Sequence, residues 1–384
     1  MTPIGEGRPL SWAPSAHAVA GGCGAMRTVH IGVVGCGEVA QRVYLPEFYR
    51  LHDKAVLVAV CDRIEERARA AQQRFGARTY YTDLDRFLRE SNAEIVVNLT
   101  PHKAHAPVSM AALEAGRHVY TEKPLAQSVD DATQLIAAAR AHHVKLACSP
   151  VTLLLPTAQR WRHLLQEGMI GSVTFARAQL LTPPIWEDFP PDHVWYYAAG
   201  SGPLMDGGVY ALTALTSLFG PASRVSAMAG TIMSEHVIGD GPAAGRRFRS
   251  EVADSVHLHL DFGRFFATFD VSWCVQASRN ETLEVYGEHG TLSGDPTYAN
   301  TPIHIFRPGS GWSVEEPMPR LPRSDDWFQG VAHLVDCVLH DTEPIPSAPH
   351  ARHVLDIMLT ALRSAQEGRA LALQTTFQLP MTIP

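Results

Sequence analysis

The sequence predicts an α/β chain: a doubly wound parallel sheet first, then an α+β half built on a mainly antiparallel open sheet. Three observations carry this expectation. From Val29 to Cys148 short apolar runs alternate with helical stretches, as in strand–helix–strand units with parallel strands. A glycine-rich turn, Gly35-Cys36-Gly37-Glu38-Val39-Ala40, directly follows the first run. After Pro150 the alternation stops, and strand-like runs follow one another on short connections, as antiparallel strands do.

Length and composition set the frame. A chain of 384 residues is long enough for two domains with substantial cores. The expected division is a flexible tail (1–26), a first domain (27–150) and a second (151–384), with Met26 as a candidate natural start. The tail is Gly-, Ala- and Pro-rich and shows neither a twin-arginine nor a secretory apolar region. Apolar residues make up 46% and charged ones 18%, ordinary for a globular enzyme. A net charge of −7 argues against nucleic acid or an anionic membrane as partner. No run approaches the roughly 20 apolar residues a spanning helix needs. Cys23, Cys36, Cys61, Cys148, Cys274 and Cys337 are scattered without a C-x-x-C pair, which fits reduced thiols in the cytoplasm.

Val29 to Val34 is a mostly apolar run, hence a buried strand. The turn behind it matches G-x-G-x-x-G/A. Gly35 permits the tight turn, Gly37 lets a pyrophosphate approach the backbone, and Ala40 lets helix and strand pack closely. A helix from there to about Arg50 would offer its N-terminal N–H groups to phosphate, with Pro46 kinking or interrupting it. Ala55 to Cys61 is the second strand, ending at Asp62, 22 residues beyond Ala40. A carboxylate there suits both ribose hydroxyls and repels a 2′-phosphate, which favours NAD; Arg63 beside it keeps NADP open. Asp62 also qualifies as N-cap of the helix from Glu65 to Phe75.

The alternation continues through a helix from Asp83 to Glu90, a strand from Glu94 to Leu99, and a helix from His102 to Ala115. A strand from Arg117 to Tyr120, a helix capped by Ser128, and a strand from Val144 to Cys148 complete it. Ligands of such sheets bind beyond the carboxyl ends of the strands. Thr100-Pro101 and Glu122-Lys123-Pro124 both sit there, which puts Lys123 near the nicotinamide. His102 and His105 share a helix face at a spacing that also suits a metal, although helix-start polar groups near the cofactor fit better.

In the second half a helix spans Pro156 to Glu167. Strands are expected at 173–181, 224–230, 252–262, 265–273, 282–288 and 303–306, with Phe262-Gly263-Arg264 as a hairpin turn. His257 and His259 share one sheet face. Pro183 to Tyr197, with Trp186, Phe189, Trp195, Tyr196 and Tyr197, is a loop that walls a pocket or packs on the surface. Ser234 to Ser250, including Asp240-Gly241-Pro242, is expected as an exposed loop. Helices at about 325–340 and 350–367 close the chain.

Together the glycine-rich turn, Glu122-Lys123-Pro124, the segment Gly202-Pro203-Leu204-Met205-Asp206-Gly207-Gly208-Val209-Tyr210 and the Ala-rich last helix resemble the glucose–fructose oxidoreductase, inositol dehydrogenase and MocA (Gfo/Idh/MocA) family. The similarity runs from Thr28 to Gly368. It implies a Rossmann domain, then an α+β domain whose open sheet mediates homodimers or homotetramers, and oxidoreductase chemistry on sugars, cyclitols or related alcohols. It places Lys123 beside the nicotinamide, Asp206 as its acid partner, and Tyr210 where many members carry a catalytic His. Tyrosine there resembles the glucose–fructose oxidoreductase and dimeric dihydrodiol dehydrogenase branch. Ser149 to Leu154 departs from a stretch that often supplies Tyr or Arg toward a sugar. The cofactor contacts expected on all these grounds are Gly35, Gly37, Glu38, Val39, Ala40, Asp62, Arg63, Thr100, Pro101, His105, Glu122, Lys123 and Pro124.

The chemistry follows from the residues as well. Taking a hydride from an alcohol carbon requires removal of the hydroxyl proton as the carbonyl forms. Tyr210 is the candidate acid/base, four positions after Asp206 and so on one helix face with it. A free tyrosine titrates near 10, and lowering that by two to three units takes roughly 3–4 kcal/mol of phenolate stabilisation. The Lys123 ammonium can supply it and can also stabilise a developing alkoxide. A core aromatic at Tyr210 and a ribose ligand at Lys123 are the structural alternatives. Two other functions fit the motifs: a lyase or glycoside hydrolase that oxidises its sugar transiently on tightly held NAD, and a non-catalytic nucleotide or sugar sensor.

Overall fold

The computed structural model describes residues 27–184, 193–238, 244–316 and 323–380. Trp186, Phe189, Asp240-Gly241-Pro242 and the N-terminal tail lie outside the described residues.

β1 (Val29–Val34), β2 (Ala55–Cys61), β3 (Thr79–Tyr81), β4 (Ile95–Asn98), β5 (His118–Thr121) and β6 (Leu146–Cys148) form one parallel sheet in the order 3-2-1-4-5-6. Their apolar residues are buried on both faces because helices cover both: α1 (Glu65–Phe75), α2 (Leu84–Glu90), α3 (His105–Glu114) and α4 (Val129–Ala141). Asp83 and Ser128 cap α2 and α4 by accepting from the Arg86 and Asp131 N–H groups. Strand order reverses between β1 and β4, so the turns after them diverge and leave a crevice.

The helix expected from the glycine turn to Arg50 is shorter and less regular. A π-type turn, Ala40–Tyr44, passes into a 3₁₀ segment, Leu45–Leu51, because Pro46 removes a donor from the ladder. Asp62 is not the cap of α1: Ile64 holds that position, and the Asp62 carboxylate accepts from the N–H groups of Ile64 and Cys36 instead.

The second half contains α5 (Pro156–Gln166), α6 (Val209–Phe219) and a nine-stranded sheet in the order 16-15-14-13-7-12-11-8-17. It runs from β7 (Val173–Leu181) and β8 (Arg224–Gly230) through β11 (Ser255–Asp261), β12 (Phe266–Ser272), β13 (Leu283–Gly287), β14 (Gly290–Gly294), β15 (Ile303–Arg307) and β16 (Gly311–Glu315) to β17 (Leu371–Ala372). Among the described residues of this sheet, only β7 and β12 pair in parallel. Its inner face, with Val256, Leu258, Leu260, Phe269 and Val271, is buried in one core with α6 and α8 (Ala348–Glu367). His257 and His259 point outward, as their alternation implies.

Ser234 to Ser250 is not wholly loop. β9 (Glu235–Val237) and β10 (Arg247–Arg249) pair antiparallel within it. Each three-residue strand turns only its central side chain inward, and His236 stacks on Phe248 at 5.1 Å, too short a pattern to stand out by periodicity. β14 and β16 also escape the sequence. β14 has glycine at both ends, and β16 is an edge strand whose partner alone defines it.

α7 (Arg323–His340) crosses back. Phe328, Val331, Leu334, Val335 and Val338 are buried in the core of the first sheet, among Tyr44, Leu45 and Tyr120. A Cβ on Gly330 would lie 2.4 Å from Tyr120 Cε2, so only glycine lets α7 sit this close to β5. Among the described residues no helix is long and apolar enough to cross a membrane.

α8 is fixed from inside by two buried histidines. His350 contacts Thr216 Oγ1 through Nε2 at 2.7 Å and stacks on Phe377. His353 Nε2 accepts from Ala222 N–H at 3.1 Å, leaving Nδ1 to donate to Thr375. Burial pulls His350 down to about 3 and His353 to about 4. Both stay neutral in the fold while the unfolded chain binds protons near the ordinary 6.5, so the unfolded state holds more protons between those limits. Stability from this pair is therefore complete above pH 6.5 and falls as pH drops toward 3. The expected slope is about 1.4 kcal/mol per pH unit for each histidine inside that window. Urea unfolding of wild type and His353→Gln at pH 7.5 and 5.0 measures it, and a variant with an unchanged pH slope would contradict it.

Candidate functional site

Tight backbone geometry shapes the turn after β1. Gly35 has φ +93°, and a Cβ there would lie 2.7 Å from the Leu99 carbonyl, in the neighbouring turn. At Gly37 a Cβ would meet nothing within 4 Å. The first glycine is thus required by the protein, whereas the second borders open space at a helix N-terminus, where backbone N–H groups lack intrahelical acceptors. That arrangement fits a dinucleotide pyrophosphate. Ala40 is fully buried against the sheet, while Glu38 and Val39 face solvent and Glu38 pairs with Arg42.

Asp62 ties the same turn to β2, its Oδ2 accepting from Cys36 N–H at 2.8 Å. A carboxylate keeps lone pairs beyond these two bonds for ribose hydroxyls. Arg63 is exposed beside it. Burial pushes the Cys36 thiol up to about 12, so it supplies no thiolate.

Beyond β4, Asn98 organises the next turn: its Oδ1 accepts from Thr100 Oγ1 at 2.6 Å, and its Nδ2 donates to the His105 carbonyl at 3.0 Å. Pro101 is exposed. His105 is buried, with Nδ1 2.7 Å from the Pro124 carbonyl and Nε2 2.8 Å from that of Thr100. Its ring joins two crevice turns from behind and leaves no nitrogen for a metal.

Glu122 and Lys123 point in opposite directions. Glu122 is buried, accepting from Tyr44 OH through Oε1 and from Lys123 N–H through Oε2 at 2.9 Å. Tyr44 OH lies 3.4 Å from Tyr120 OH. Pro124 is also buried, behind a cis Lys123–Pro124 peptide. Of the Glu122-Lys123-Pro124 set, Lys123 alone extends into the crevice.

There it meets α6. The π-type turn Leu204–Gly208 precedes α6, and Lys123 Nζ donates to Asp206 Oδ1 and to the Asp206 carbonyl, each at 2.7 Å. The same nitrogen lies 5.3 Å from the Tyr210 ring centroid. Burial alone would pull Lys123 down, but Asp206, Glu122 and Tyr196 together outweigh it and its pKa is raised. It is an ammonium at neutral pH. Two of its three N–H bonds are used by Asp206, leaving one for a negatively charged oxygen.

Three further side chains lie near this pair: Tyr196 and His102, which the sequence offered only as a pocket-wall aromatic and a helix-start polar group, and Trp327, which it did not single out. Tyr196 stacks on Trp195 at 3.8 Å; burial first, then Asp206, pushes its phenol up, so it remains a hydrogen-bond donor. His102 lies 3.5 Å from Ser201 Oγ and is held below its ordinary value by burial and by the charges of His105, Lys103 and Lys123. Trp327, on α7, stacks against Tyr210 with centroids 6.3 Å apart. The aromatic run ending at Tyr197 signalled the first. No pattern marked Trp327, which comes 117 positions after its partner in the chain.

A 3-2-1-4-5-6 parallel sheet with a glycine turn at its switch point, followed by a mixed, mostly antiparallel sheet, defines a two-part fold whose first half is of the dinucleotide-binding Rossmann kind. Residues 29–149 match the NAD-binding Rossmann fold of the Gfo/Idh/MocA oxidoreductase family and residues 158–293 match its C-terminal domain, and the chain belongs to that family. It is 29% identical to dTDP-3,4-didehydro-2,6-dideoxy-alpha-D-glucose 3-reductase of Streptomyces violaceoruber, over 82% of this chain and 86% of that protein. It is 25% identical to trans-1,2-dihydrobenzene-1,2-diol dehydrogenase of Mus musculus, over 78% and 85%. The structure of aldose-aldose oxidoreductase from Caulobacter crescentus, complexed with glycerol, superposes with a TM-score of 0.74 at 25% identity, covering 90% of this chain and all of that one.

The two glycines should separate in experiment. Gly35→Ala forces a left-handed φ and a backbone clash, and is expected to cost about 1–3 kcal/mol of stability. Gly37→Ala should leave the melting temperature within a degree or two yet weaken NADH binding at least about tenfold, read by nicotinamide fluorescence. Equal nucleotide affinity in Gly37→Ala would remove this turn from the cofactor site.

Proposed function

We propose that the chain is an NAD(P)-dependent oxidoreductase acting on CH–OH groups of a sugar, cyclitol or related cyclic alcohol. In this proposal residues 27–150 hold the dinucleotide and residues 151–384 hold the substrate. The observation that carries it is the convergence of Lys123, from just after β5, with Asp206, from the turn before α6, and Tyr210, from the start of α6. In this reading one cation, its carboxylate and a phenol border the substrate beside the nicotinamide.

The nicotinamide, when bound, supplies the acceptor or donor of the hydride. In the oxidising direction Tyr210, as phenolate, takes the hydroxyl proton while hydrogen leaves the carbon with its electron pair; in reduction Tyr210 returns the proton. Lys123 favours the phenolate and any developing alkoxide through its remaining N–H. Asp206 orients that ammonium and balances its charge. Asp62 favours NAD, since a 2′-phosphate would bring negative charge against a carboxylate fixed by two backbone N–H groups. A cyclic substrate is supported by relatives whose names specify a deoxyhexose derivative and a dihydrodiol.

Tyr210→Phe is expected to lower turnover by about 10²–10⁴ while NADH affinity stays within twofold. The assay is nicotinamide absorbance over a panel of aldoses, cyclitols and dihydrodiols. Wild-type turnover in that variant would remove Tyr210 from the mechanism.

We also propose a homodimer or homotetramer joined through the outer face of the nine-stranded sheet. Register aligns Phe266, Phe175, Tyr286, Thr291, Phe306 and Trp312 in one row across six strands. Phe266 is 59% and Trp312 57% exposed, at the two ends of a mainly aromatic row, interrupted by Thr291, that a second copy would cover. Phe266→Glu should reduce the molar mass measured by light scattering, and an unaltered oligomer would exclude this face.

A further inference from the structure

We propose that Trp327 is a positioning residue that fixes the Tyr210 ring beside Lys123, and that α7 is docked on the first sheet to hold it there. The inference rests on the proposed acid/base role of Tyr210.

Tyr210 opens α6, on the second sheet's side of the crevice, and is only part-buried. Acid/base work requires the phenol to be held in one rotamer. The indole of Trp327 lies 6.3 Å from its centroid with planes 26° apart, an offset stack. Trp327 is itself anchored, because it packs against the core that contains Phe328, Val331 and Tyr120. Tyr120 OH reaches the Trp327 carbonyl at 3.5 Å and Tyr44 OH at 3.4 Å, and Tyr44 OH donates to Glu122. Glu122 in turn accepts from Lys123 N–H at 2.9 Å. Both members of the pair are thus referenced to one buried framework: Lys123 through its backbone, Tyr210 through the indole. Gly330, one turn along α7, permits the close seat on Tyr120 that sets the height of the helix.

Trp327→Ala should lower kcat by about tenfold or more and move the pH limb that reports Tyr210, while NADH affinity stays within twofold. Trp327→Phe, which restores a stacking ring, should recover most of the loss. If Trp327→Ala melts below the assay temperature, Trp327→Leu keeps apolar bulk without a ring and carries the same expectation. In a Tyr210→Phe background the Trp327 substitution should have no further effect on kcat. Wild-type kcat and pH profile in the Trp327 variants, with Tyr210→Phe still impaired, would overturn the positioning role alone. Full turnover in Tyr210→Phe would instead overturn the acid/base assignment and this inference with it.

Discussion

A largely buried ammonium must have a partner, and that requirement organises the centre of this molecule. The Lys123 side chain is 15% exposed and the Asp206 side chain 26%, and the two meet at 2.7 Å. Leaving either charge alone in such surroundings would be strongly unfavourable. Because Lys123 follows the fifth strand of the first sheet and Asp206 lies in the turn that leads into α6, satisfying the charge also ties the two halves together beside the crevice. The ion pair works beside apolar contact here, since Leu125 and Ala126 share one buried core with Met205, Val209 and Ala211.

The residue before Lys123 has the opposite task. Along an extended backbone successive side chains alternate direction, so Glu122 enters the core as Lys123 enters the crevice. The Glu122 carboxylate is tolerated there because Tyr44 and the Lys123 N–H donate to it. Two adjacent charged residues therefore divide the work, one holding the backbone and the other facing a ligand. His105 does for Thr100 and Pro124 what Glu122 does for Lys123: it spends its polar atoms on keeping crevice turns in place. His105 and Glu122, which motif spacing assigns to the cofactor, spend these hydrogen bonds on holding the crevice turns.

The parts of the fold legible in the sequence are those governed by local rules. The burial of β1 follows from its composition, the Asp83 and Ser128 caps from side-chain chemistry at helix starts, and the 262–264 turn from a glycine between two alternating runs. Lys123, Asp206 and Tyr210 were legible as a group because each sits in a dense motif. The departures share a cause too. β9, β10, β14 and β16 are too short, too polar or too glycine-rich to declare themselves, and exist through their pairing. Asp62 resembles a helix cap by position, yet its carboxylate is drawn to the N–H of Cys36, 26 residues away.

The sequence alone determined two kinds of sheet, a glycine turn suited to phosphate, and the residue types at the crevice (a lysine, an aspartate and a tyrosine), because period, turn chemistry and side-chain chemistry are properties of neighbouring residues. Tertiary structure decided which side of the backbone each charge faces. It returned α7 to a sheet completed some 175 residues earlier, between β6 and α7, and brought Trp327 against Tyr210. Contacts of that range form when the whole core closes, since burial of apolar area depends on shape and not on distance along the chain.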